Sequence, residues 1–338
     1  MEFLRRHLGL IFRTLVSVVL IGWLLRKMDL PDLWPILYTV DVNWLIIGFF
    51  CFVPTLLVVS WRWRMLLGVH GVHLRFWRVF ELTMIGQFFS AFLLGTTGGD
   101  VIKIYYVARA VPQRKAAVAF TVIVDRVIGL VALLLFGVIL SLSQLPLLLS
   151  KSDTKFFTGL FYLFALGGLG GSVLACFGPF LLRHQALRAF LKRLPFVHRG
   201  TSLFAAYEVT AHAFGTNLIA LIGSIPSHIC SIAMAYCVFN ALHLHGHLLA
   251  FCSILIIVNM LIALPVSISG LGLREYLLIV FFALFGIDKE HAFAFSITYF
   301  AINVLWSLVS GPFYFLYRHE THTPAPDVAE VEPIFSEQ

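Results

Sequence analysis

Two short stretches of an otherwise apolar chain hold the residues that could do chemistry. The first, Gly95 to Arg109, reads G-T-T-G-G-D-V-I-K-I-Y-Y-V-A-R. The second, Leu264 to Tyr276, reads L-P-V-S-I-S-G-L-G-L-R-E-Y. Gly95, Gly98 and Gly99 in one, and Pro265, Gly270 and Gly272 in the other, interrupt any helix that enters, because glycine and proline are costly in a helix interior. Charged residues follow at once: Asp100 and Lys103 in the first, Arg274 and Glu275 in the second. Ionisable groups at membrane depth are expensive and face a protein interior or a wet cavity. A helix that restarts after such a break aims its free N–H groups at the break, which favours an anion. Lys103, Arg126 and Arg274 would add full positive charges, and Asp100, Asp125 and Glu275 are placed to pair with them. The backbone and hydroxyl groups of Gly98, Gly99, Ser267, Ser269, Gly270 and Gly272 complete this candidate substrate-binding set. The plainer reading is that the charges are buried ion pairs that hold the protein together.

The surrounding elements must bring these stretches to one depth. With 60% hydrophobic and 12% charged residues and a mean hydropathy of +0.93, the chain has the composition of an integral membrane protein. Apolar segments use up most of the 338 residues and leave no room for a separate soluble catalytic domain. The formal charge of +7 comes from short basic runs beside apolar segments, the cytoplasmic-loop pattern, and calls for no nucleic acid. The five cysteines lie in apolar stretches without C-x-x-C spacing and read as packing or lipid-facing thiols. No G-x-S-x-G, H-E-x-x-H or Walker-type loop is present, so neither an enzyme nor a metal or cofactor is expected.

Taken in order, spans are expected at about 8–25, 42–60, 116–140, 156–178, 216–240 and 291–317. If the segment at 79–95 crossed the bilayer, Arg109, Arg114 and Lys115 would emerge in the wrong compartment. Charge bias therefore predicts a re-entrant hairpin over 79–110, and the second half repeats the order with a hairpin over 248–286 that turns at Pro265–Gly272. The expected fold is all-α: two inverted-topology repeats, about 8–140 and 156–317, each with three transmembrane helices and one re-entrant hairpin. Both termini are then cytoplasmic, residues 1–318 form one transmembrane domain, and the Pro- and acid-rich 319–338 is a disordered tail. Interrupted segments at corresponding places in two halves point to a transporter's binding site. Arg62 and Arg64, in W-R-W-R at the end of the second span, read first as cytoplasmic anchors and second as headgroup contacts, with Arg109 in the same second role.

Four pieces of the chain resemble the lysylphosphatidylglycerol synthase transmembrane-region family. They are W-R-W-R-M-L-L (61–67), G-G-D-V-I-K-I-Y-Y-V-A-R (98–109), V-D-R-V-I-G-L-V-A-L-L (124–134) and L-P-V-S-I-S-G-L-G-L-R-E (264–275). The resemblance implies a transporter that moves a lipid across the bilayer, with the two hairpins at its core. The family's motif acids and bases would fall on Asp100, Lys103, Asp125, Arg126, Arg274 and Glu275. Gly95 stands where the family usually has proline, and Asp125 where it often has glutamate; each keeps the physical role. The aminoacyl-transferase domain of the longer members is not among these residues, so synthesis of lysyl-lipid is not expected.

The expected function is a multi-pass flippase of the bacterial cytoplasmic membrane, carrying a phospholipid or polyprenyl-phosphate-type lipid by alternating access. With no ATP motif, movement would follow a gradient or be coupled to protons or ions. Two alternatives share the architecture: an ion-coupled carrier of a small soluble anion, and a non-catalytic membrane partner of a lipid-modifying enzyme.

Overall fold

The computed structural model describes residues 30–92, 98–181, 201–263 and 270–320, all of them helical or in short connections, with no strand among them. The expected first span, residues 321–338 of the tail and the residues Gly95, Pro265, Ser267 and Ser269 lie outside the described residues. Among the described residues, five helical segments are long and apolar enough to cross a membrane: Val42–Val69, Pro112–Ser143, Ser152–Cys176, Phe214–Ala241 and Lys289–Tyr317. They coincide with five of the six spans that the hydropathy pattern predicts.

The helices are numbered in chain order. Helix α1 (Leu30–Tyr38) exposes Trp34 and leads into α2 (Val42–Cys51) and α3 (Val53–Val69), which form one span bent at Pro54. The pair α4 (Phe76–Phe92) and α5 (Gly98–Ala110) comes next, then the long span α6 (Lys115–Ser143). The second part begins with α7 (Ser152–Leu181) and α8 (Thr201–His212). A second bent span follows, α9 (Phe214–Ile222) with α10 (Ile225–Ala241), where Pro226 makes the bend. The pair α11 (Leu248–Ala263) and α12 (Leu273–Phe282) precedes the last span, α13 (Lys289–Val309) and α14 (Gly311–Glu320).

The two bent spans carry their prolines at the same 172-residue offset that separates Thr55 from Ser227, and the Thr55 hydroxyl donates to the Ser227 carbonyl at 3.2 Å. Packing is reciprocal as well. Helix α4 lies against α13, as α11 lies against α6; α10 lies against α2, as α9 lies against α3.

Helices α4, α5, α11 and α12 have 17, 13, 16 and 10 residues. At about 1.5 Å per residue even the longest spans roughly 26 Å, short of the ~30 Å hydrocarbon core. Helices α4 and α5 approach so closely that a Cβ on Gly99 would stand 2.1 Å from the Gly86 carbonyl oxygen and 2.4 Å from the Ser90 hydroxyl. Only glycine fits there, and the contact fixes the start of α5 against the middle of α4.

The largest core cluster joins α10, α11, α12 and α13 through a knot of Phe239, Phe251, Phe282 and Phe295, with ring centroids 4.7 Å (239–251) and 5.0 Å (282–295) apart. A second cluster, around Trp63, Val79, Ile85, Val107 and Val118, holds α3, α4, α5 and α6 together. His70, just beyond α3, bonds Thr210 of α8 at 2.9 Å, and its carbonyl accepts from Arg114. Burial first, and then the Arg114 guanidinium, hold its ring below the usual imidazole range.

Candidate functional site

Two charge centres emerge, one on each short-helix pair. In the first, Asp125 points inward from α6 and binds Arg62 of α3 through both oxygens, Nε to Oδ1 at 2.6 Å and Nη2 to Oδ2 at 3.0 Å. Arg62 Nη1 also donates to the Ser224 hydroxyl at the bend between α9 and α10, at 2.8 Å. The guanidinium lies flat against α6 because residue 129 is glycine; a Cβ there would meet Nη1 at 3.1 Å. Arg62 is 5% and Asp125 6% exposed. A pair this dry keeps its charges only through such bidentate geometry and added hydrogen bonds.

Arg62 is thus no cytoplasmic anchor. One turn of α3 carries the W-R-W-R segment so that Arg62 and Trp63 face inward. Arg64 faces outward, its Nε donating to the Leu74 carbonyl at 2.9 Å. Arg109 is exposed at the end of α5.

Arg126 follows Asp125 in sequence but turns to another side, since successive helix residues diverge by about 100°. Its Nε donates to Asp100 Oδ2 at 2.7 Å, which ties α6 to the first turn of α5. Asp100 is buried, whereas the Arg126 side chain is 52% exposed. Around Arg126 the surface is apolar: Ile123 and Val127 on α6, Val101 and Tyr105 on α5, are all exposed.

Lys103 completes this centre from α5. Its stem fits a notch made by Gly86, where a Cβ would stand 2.7 Å from Lys103 Cε. Its ammonium lies 5.4 Å from the Trp63 ring centroid and 3.9 Å from Asp100 Oδ1.

The second centre is self-contained. Gly272, at φ +85°, starts α12, and its N–H donates to Glu275 Oε2 at 2.6 Å. Glu275 Oε1 accepts from Arg274 Nε at 3.1 Å, from Arg274 Nη2 at 2.5 Å and from the Ser296 hydroxyl of α13 at 2.9 Å. The Arg274 guanidinium sits 4.8 Å from the Phe300 ring centroid. Arg274 and Glu275 are 5% and 3% exposed. Gly270, at φ +76°, packs on Ile262 of α11.

Of the expected residues, then, Gly98, Gly99, Asp100, Lys103, Asp125 and Arg126 gather at one centre, while Gly270, Gly272, Arg274 and Glu275 gather at the other. No bond among the described residues joins the two. Sequence reading missed Ser224, Ser296, Gly86, Gly129 and Trp63. Only Gly86 and Gly129 carried a signal, as isolated glycines inside apolar helices.

Comparison with known protein families matches residues 10–311 to the lysylphosphatidylglycerol synthase TM region. No curated protein and no solved structure matches the chain.

Proposed function

The chain belongs to the lysylphosphatidylglycerol synthase transmembrane-region family, and on that premise we propose that it is a lipid transporter of the bacterial cytoplasmic membrane rather than an enzyme. It moves a phospholipid or a polyprenyl-phosphate-type lipid across the bilayer. The α4–α5 and α11–α12 pairs act as re-entrant hairpins entered from opposite faces, in two inverted repeats whose rocking alternates access. Their short lengths, the matched proline bends and the reciprocal packing support that reading.

The observation that carries the proposal is Arg126. It presents half of its charged side chain on an apolar helix surface well inside a membrane span, while its inner side holds the buried Asp100. A cation in that position is costly against hydrocarbon and has a use if polar headgroups reach it sideways while the acyl tails stay in lipid. A carrier of small soluble anions would instead enclose its charges in an aqueous vestibule. The Arg274–Glu275 centre, dry and internally neutral, serves as the fixed anchor of the opposite hairpin.

Purified protein in liposomes should speed the transbilayer movement of a fluorescent phospholipid over protein-free vesicles, and Arg126→Gln should reduce the rate at least about tenfold while the protein still folds. A tenfold loss corresponds to about 1.4 kcal/mol of lost interaction, modest for a charged contact. Equal rates for the variant and the unaltered protein would overturn the proposal.

A further inference from the structure

The two centres differ in charge balance. At the second, one cation, Arg274, faces one carboxylate, Glu275. At the first, among the described residues, three cations (Arg62, Lys103, Arg126) share two carboxylates (Asp125, Asp100). The excess falls on Lys103. Arg62 takes both oxygens of Asp125, and Arg126 holds Asp100 at 2.7 Å, so the nearest carboxylate oxygen left for Lys103 stands at 3.9 Å, beyond hydrogen-bond reach. Lys103 is 9% exposed and otherwise faces the Trp63 ring, a weak partner for a dry ammonium. It also sits in the second turn of α5, whose N-terminal amides add to the positive field. A buried cation without a matched anion is a standing cost.

We propose that Lys103 is the counter-charge for a phosphate monoanion, so that the first centre selects a net-anionic phosphodiester headgroup over a zwitterionic one. Lys103 stands 3.9 Å from Asp100 Oδ1 and Arg126 2.7 Å from Oδ2, so both cations gather at one carboxylate and an anion arriving beside it meets ammonium and guanidinium together. The bound centre then has three cations and three anions. A zwitterionic headgroup, bringing its own cation, leaves the excess in place. The proposal deepens the transport reading by naming the charge class of its substrate.

The test is equilibrium binding to the purified full chain in detergent, with three probes: short-chain phosphatidylglycerol, short-chain phosphatidylethanolamine and inorganic phosphate. The unaltered protein should bind phosphatidylglycerol at least about tenfold more tightly than phosphatidylethanolamine, and Lys103→Met should erase that preference. Its lipid-free thermal midpoint should stay level or rise, because an unmatched buried charge has been removed; a merely structural lysine would lower it. Lys103→Gln serves the same purpose should the methionine variant not fold. Phosphate binding much weaker than phosphatidylglycerol identifies a lipid headgroup as the source of the anion. Phosphate binding as tight as the lipid keeps Lys103 as the counter-charge but overturns the lipid as its partner. Equal affinity for the two lipids, or a preference that survives in Lys103→Met, would overturn the proposal. Binding is read without transport, so either reading can fail while the other stands.

Discussion

Replacing Arg62 by alanine should destabilise the folded protein by about 3–5 kcal/mol, the usual cost of breaking a buried ion pair from one side. The loss comes mainly from what is left behind. Asp125, 6% exposed, would lose both of the hydrogen bonds it takes from Arg62, and the Ser224 hydroxyl would lose the guanidinium that ties it to the other bent span. Asp125→Ala should cost a similar amount by stranding the guanidinium. The double variant Arg62→Met with Asp125→Leu should recover most of either loss, because an apolar pair of similar volume leaves no buried charge. Equilibrium unfolding in mixed detergent micelles reads all three. A double variant whose loss equals the sum of the single losses would contradict this account of the pair.

Glu275→Ala should be as damaging, again about 3–5 kcal/mol, for a different distribution of reasons. Glu275 accepts from Arg274, from Ser296 and from the Gly272 N–H, so one truncation strands a cation, a hydroxyl and the first amide of α12. Glu275→Gln keeps an acceptor for Gly272 but removes the charge, and should fall between the unaltered protein and alanine. If glutamine matched alanine, the helix-start bond would contribute nothing; if alanine were harmless, Arg274 would not depend on Glu275. Micellar unfolding of the two variants side by side distinguishes these outcomes.

The chain's hydropathy made five of the described spans legible, because a run of about 20 apolar residues has few other uses. The glycine clusters made the short helices legible too. Pairing was harder. Asp125 and Arg126 are neighbours in sequence and invite an ion pair, yet helical rotation sends one to Arg62 and the other to Asp100. The same rotation, applied to W-R-W-R, separates the inward Arg62 from the outward Arg64. Ser224 and Ser296 were not legible at all, since a serine inside an apolar helix usually satisfies itself on its own backbone. Their partners Arg62 and Glu275 arrive from 162 and 21 residues away, and only the folded chain brings them together.

The central claim is that polar headgroups reach the Arg126–Asp100 pair from the lipid side at membrane depth. It is tested most directly in a variant whose five native cysteines are replaced and in which Ile123→Cys, Val127→Cys or Ile139→Cys is then introduced one at a time. All three positions are exposed on α6, and Ile139 lies away from the charges, nearer the other end of the helix. A water-soluble thiol reagent should modify residues 123 and 127, and added phospholipid should slow both reactions, while 139 stays inert in hydrocarbon. Were 123 and 127 as unreactive as 139, no wet or polar path would lead to Arg126, and the lipid-carrying account would fail.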